Sequence, residues 1–144
     1  MPESGRIQKG IHYFDTRVYY EDTDAGGVVY HSNYLNFAER ARTEFLRFCD
    51  IHQEELKRLY DCVFVVTQLN IKYKKAARLD DIIQVRTEME RLSKASLMLD
   101  QTLWILGEKI VEIKVSIVAV DAKLWQLKRL PEMIIEKLEE QMND

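Results

Sequence analysis

One long amphipathic segment, followed by little except strand patterns, sets the limits on what this chain can become. From Asn33 to Phe48 the apolar residues Tyr34, Phe37, Ala38, Ala41, Phe45 and Phe48 recur at helical spacing, and Leu35 and Leu46 widen the stripe. A helix of that length is about 24 Å long. Residues 63–73 begin as an apolar run and then alternate. Residues 81–92, 96–106 and 109–121 alternate throughout, as half-buried strands do. The connections 93–95 and 107–108 are short enough for hairpins. Upstream, residues 12–21 are aromatic and β-branched and predict a strand. Residues 53–59 predict a short helix, and Pro131 opens a last helix running to about Gln141. A stripe as long as that of residues 33–48 has to be buried against something, and only the sheet is large enough. The expected fold class is α+β: an antiparallel sheet curled around one long central helix, with a C-terminal helix, in one domain spanning 1–144.

Between the first strand and the helix lies Tyr19-Tyr20-Glu21-Asp22-Thr23-Asp24-Ala25-Gly26-Gly27-Val28-Val29-Tyr30-His31-Ser32-Asn33-Tyr34. It places a carboxylate (Asp24), two glycines and a histidine (His31) just before a helix start. Ser32 or Asn33 is the expected N-cap. Glycines let the backbone approach a ligand closely, and the first N–H groups of a helix are free donors reinforced by its dipole. A carboxylate facing such donors is the equipment of acyl transfer: a base or nucleophile for the carbonyl carbon, and hydrogen bonds for the oxygen that becomes negative.

Other chemistries fit less well. As a calcium loop the stretch has Gly26 at the fifth position and Asn33 in place of the glutamate at the twelfth, and His12, His31 and His52 lack metal-ligand spacing, so no metal or cofactor is expected. Glu39 and Glu44 are expected to pair with Arg40, Arg42 or Arg47, with Glu39 a lesser carboxylate candidate. The basic run 72–78 is expected to be a solvated strand end. A net charge of −3 gives no reason to expect nucleic acid. No apolar run reaches the length of a membrane span, and residues 1–10 show no leader. Two cysteines, Cys49 and Cys62, suggest no disulfide framework and point to a reducing, cytoplasmic setting.

Asp22–His31, Tyr34 and the run Glu39-Arg40-Ala41-Arg42-Thr43-Glu44 resemble the signature of the 4-hydroxybenzoyl-CoA thioesterase family, most closely its Tol-Pal-associated acyl-CoA thioesterase branch. Residues 73–81 are similar to that branch as well. The resemblance implies a hotdog fold, assembled as a homodimer or homotetramer with active sites between subunits. It further implies Asp24 as catalytic carboxylate, Tyr20 and His31 as its catalytic companions, and an amide near His31 as donor to the thioester carbonyl. The basic loop that meets CoA phosphates in relatives is poorly matched, and Arg91 and Lys94, on a short turn, are the candidates for it. The expected activity is hydrolysis of an acyl-CoA, with Asp24 as nucleophile or general base and with an acyl carrier protein as a candidate further partner. The alternatives are a hotdog module that binds acyl-CoA or acyl carrier protein without turnover, and a hotdog dehydratase.

Overall fold

The computed structural model describes residues 4–142, so the two ends of the expected 1–144 span lie outside the described residues. The elements are β1 (Arg6–Gln8), β2 (Ile11–Arg17), a 3-10 turn (Tyr20–Asp22), α1 (Asn33–Phe48), α2 (Gln53–Tyr60), β3 (Cys62–Tyr73), β4 (Ile82–Leu92), β5 (Ser96–Ile105), β6 (Glu108–Asp121) and α3 (Glu132–Met142). The six strands form one antiparallel sheet in the order β1-β2-β4-β5-β6-β3.

Alternation explains how sheet and helix meet. Ile83 and Val85 on β4, Leu99, Gln101 and Leu103 on β5, and Ile113 and Val115 on β6 are all buried, while the alternate positions Gln84, Asp100, Thr102 and Lys114 are more exposed. Against that face α1 buries Tyr34, Phe37, Ala38, Ala41, Phe45 and Leu46. Ala38 and Ala41 let the helix approach closely. Gln101 then pins it: its amide nitrogen donates to the Ala38 carbonyl at 2.9 Å and to Thr87 Oγ1 at 3.0 Å, and its oxygen accepts from Arg42 at 2.9 Å. Register shifts at Val66/Gln68, Met89/Arg91 and Leu103/Trp104 mark bulges. Bulges add twist, which lets the sheet curl around a helix.

The structure corrects three expectations. The first strand does not run to Glu21. It stops at Arg17, because the Asp22 carboxylate accepts the Tyr19 N–H at 2.8 Å and winds residues 20–22 into a 3-10 turn. Ser32 stands at the N-cap position with helical dihedrals and no side-chain cap bond, and the Asn33 side chain donates instead to Asp22 at 2.7 Å. Phe48 is exposed at the end of the stripe, which Leu46 completes. A short strand not expected from the sequence, β1, pairs with β2 through Lys9 and Gly10, both at positive φ, as tight hairpins require.

Candidate active site

The loop between the 3-10 turn and α1 doubles back on itself. Thr23 bridges Val29, and the Asp24 N–H donates to the Val28 carbonyl at 2.9 Å. At the tip the Gly27 N–H returns to the Asp24 carbonyl at 3.0 Å, and Gly27 sits at φ +82°, a conformation glycine adopts without strain. Asp24 Oδ1 accepts the Gly26 N–H at 2.8 Å. The turn thus fixes the carboxylate while its second oxygen stays free of protein donors among the described residues. Asp22, almost fully buried, ties the base of this loop to the helix start through Asn33. On the other side Val28 bridges Arg78, and the Val29 N–H meets the Ala77 carbonyl at 2.8 Å.

His31 follows, exposed, one residue before the helix cap. Its carbonyl accepts the Tyr73 hydroxyl at 2.8 Å, and its ring lies 4.5 Å from that of Tyr30. Among the described residues, the N–H groups of His31 and Ser32 meet no backbone or side-chain acceptor. They stand at the positive end of α1. His31, Tyr34, Tyr73 and Ala76 are among the residues lining a shallow pocket of about 320 Å³ beside that helix start. The Tyr34 hydroxyl is buried there and accepts the Ala77 N–H at 2.9 Å. Burial is the main cause holding Tyr34 above the usual tyrosine range. The Ala77 N–H opposes it, and Tyr73 and Asp24 add to it, so the Asp24 charge is felt at this hydroxyl.

A family model described as the thioesterase superfamily matches residues 26–112, more than half of the chain. The chain belongs to the thioesterase superfamily. It is 51% identical over 90 residues to the acyl-CoA thioesterase YbgC of Haemophilus influenzae, an alignment spanning 62% of this chain and 66%, just under two thirds, of that one. It is 41% identical over 120 residues to the acyl-CoA thioester hydrolase YbgC of Escherichia coli, spanning 83% and 89%. The crystal structure of a probable thioesterase from Bartonella henselae superposes with a TM-score of 0.80 at 34% identity and covers 84% of this chain and 99% of that one. The family that the motif indicated is therefore the one found, and with it the hotdog fold.

Of the residues singled out in the thioesterase motif, Asp24 and His31 share one loop. Tyr20 stands on the 3-10 turn and is 81% exposed. Among the described residues the three side chains make no hydrogen bond with one another. Arg91 and Lys94 lie far from them within the protomer. Leu92 pairs with Leu97, Leu97 with Ile117 and Ile117 with Val66, whereas Tyr73, at the His31 end, pairs with Val111. Six residues along β6 from Val111 to Ile117 are about 20 Å of strand. Glu39 lines a different cavity of about 260 Å³, between α1 and the sheet, together with Arg42, Leu46, Phe64 and Leu99. Tyr73 and Tyr34 line the candidate site, and the sequence reading passed over both as functional groups. Both act through partners some forty residues distant, so no local spacing announces them.

Proposed function

We propose that this protein hydrolyses acyl-CoA thioesters to the free acid and CoA. The observation that carries the reading is the loop 22–31, which fixes one carboxylate and, among the described residues, leaves two N–H groups without acceptors at a helix start. The thioester oxygen would accept from the His31 and Ser32 amides, where negative charge develops. Asp24 would either take a proton from water, whose oxygen bonds to the carbonyl carbon, or attack that carbon itself to give an anhydride that water then opens. In both routes the C–S bond breaks and the thiolate leaves with a proton. His31 and Tyr20 are proposed to orient water and the leaving group. The names of the curated relatives support the same substrate class.

The site is proposed to be completed by a second copy. β3 is a twelve-residue edge strand with Val66, Leu69 and Tyr73 exposed, and such an edge invites pairing. Antiparallel pairing of two β3 edges sets the Cys62 end of one protomer beside the Tyr73 end of its partner. The β4–β5 turn is at the Cys62 end, so Arg91 and Lys94 would serve the CoA phosphates of the neighbouring site. A homodimer, or a tetramer of two such dimers, follows. The two buried free thiols, Cys49 and Cys62, suit a reducing cytoplasm.

Release of free thiol from a panel of acyl-CoAs differing in chain length and aromatic character tests the activity, with acyl carrier protein thioesters as a second arm. Turnover on some members is expected. Tight binding without thiol release would replace the reading with a binding module. A fully active monomer in sedimentation at micromolar concentration would overturn the shared site.

A further inference from the structure

The loop from β6 to α3 carries an apolar tip that the fold leaves uncovered. Leu124, Trp125 and Leu127 are 67%, 67% and 69% exposed. Single exposed apolar residues are ordinary, but three large ones on one short turn are not. The turn is well made. The Asp121 carboxylate accepts the N–H groups of Lys123 and Leu124, each at 2.9 Å. The Trp125 N–H returns to the Asp121 carbonyl, and the Asp121 N–H meets the Gln126 carbonyl, both at 2.8 Å. Trp125 sits at φ +53°, in the left-handed region that bulky side chains rarely occupy. Glycine would fit there without strain, so the turn holds an exposed indole at a conformational cost.

Cations flank the tip in the chain. Between Ala122 and Leu130 the chain has Lys123, Lys128 and Arg129 and no carboxylate, although the protein is net acidic. Asp61 and Asp121 pair with Lys123 at 3.7 Å and Lys128 at 3.2 Å. Among the described residues, Arg129 has no carboxylate within 4.0 Å. The end of α2 abuts the loop, since the Ala122 N–H donates to the Asp61 carbonyl at 2.7 Å.

We infer that this loop docks on an anionic lipid bilayer. Trp125, Leu124 and Leu127 enter the interface while Arg129, backed by Lys123 and Lys128, meets headgroup phosphates. An indole and aliphatic side chains bordered by cations have the chemistry of interfacial anchors, and charge complementarity selects the lipid over another copy. Lys123 and Lys128 are paired with Asp61 and Asp121, so two copies of this surface meeting about a two-fold axis would bring together two Arg129 guanidiniums, each without a carboxylate within 4.0 Å among the described residues.

The test uses the full-length protein in its own assembly, with vesicles of phosphatidylcholine alone or mixed with an equal part of phosphatidylglycerol. Co-sedimentation with the mixed vesicles and a blue shift of tryptophan emission are expected. Trp104 packs against Arg86, 3.9 Å from its ring centroid, and stays silent, so Trp125→Phe removes the shift and keeps binding. Trp125→Ser with Leu127→Ser, and separately Arg129→Glu, should each weaken binding at least about fivefold, as should raised salt. Thiol release from a short acyl-CoA without lipid should be unchanged in both variants. No binding to the mixed vesicles, equal binding to both vesicle types, or binding that survives the variants overturns the inference. A smaller assembly in Trp125→Ser/Leu127→Ser overturns it as well, by making the patch a subunit contact.

Discussion

Replacing Asp24 by asparagine separates what this residue does for the turn from what it does for the reaction. Asparagine keeps an oxygen at the position that accepts the Gly26 N–H at 2.8 Å, and the two backbone bonds of the turn, at 2.9 and 3.0 Å, do not involve the side chain. The stability change is then the difference between a charged and a neutral acceptor on an exposed loop, about 1 kcal/mol or less. For a chain of this size that lowers Tm by no more than about 4 °C. Activity is another matter. A lost base or nucleophile lowers the rate by about 100-fold or more, which is at least about 2.7 kcal/mol of barrier. The expectation is therefore a near-unchanged thermal melt together with kcat for thiol release down by two orders of magnitude. Asp24→Ala should match asparagine in kcat yet melt lower, because it also gives up the Gly26 bond. An Asp24→Asn protein with a normal melt and more than about a tenth of wild-type kcat would refute the assignment.

Tyr73→Phe removes the bond that holds the His31 carbonyl at 2.8 Å. It should lower kcat by about tenfold with Tm lower by only a few degrees, and an unchanged kcat would remove Tyr73 from the site. Burial pushes the Cys49 thiol up to about 12, so a thiol-alkylating reagent should leave Cys49 unlabelled in the folded protein at pH 8 and label it in denaturant. Fast native labelling would contradict its burial. His12 is fully buried. Burial is the main cause lowering its pKa below 6.5, against the opposing effects of the Ser4 carbonyl and Glu44. The unfolded chain then binds the proton more readily than the folded one, so stability is fully present above about pH 6.5 and is lost as pH falls below it. Urea midpoints should decline below that pH, and His12→Phe should flatten the decline; equal slopes in both proteins would exclude His12 as the cause.

Much of this architecture is legible because its signals are local. The helix spans residues 33–48 as the stripe predicts, and β3 to β6 begin and end within a residue of their alternating segments. The failures have two causes, contacts that local pattern does not carry and an element too short to show a pattern. Tyr19 and Tyr20 have strand propensity, but the Asp22 carboxylate takes the backbone that a strand would have used. Ser32 suits a cap by type, yet the groups that organise the helix start are Asn33 and Asp22, eleven residues apart. β1 is three residues long, too short for any period to show. In the site the same division holds. Asp24 and His31, the proposed catalytic groups, fall within one short motif, whereas Tyr73 reaches His31 across 42 residues of chain.

The arrangement also explains why so little of the proposed chemistry rests on long side chains. The proposed donors are main-chain N–H groups at the start of α1, and their position is set by whatever fixes that helix. Two side-chain contacts near its start do this. Gln101 holds the Ala38 carbonyl from inside the core, where an unmet amide is costly, so the helix has little freedom to slide. Tyr73 holds the His31 carbonyl from the edge strand, close to where a second copy would pair. Closing the β3 edge would therefore tighten the helix start as well as cover it. In the proposed dimer the candidate loop on the surface of one protomer would gain the rigidity of a core on one side and of an interface on the other, which is the preorganisation that stabilising a developing oxyanion requires.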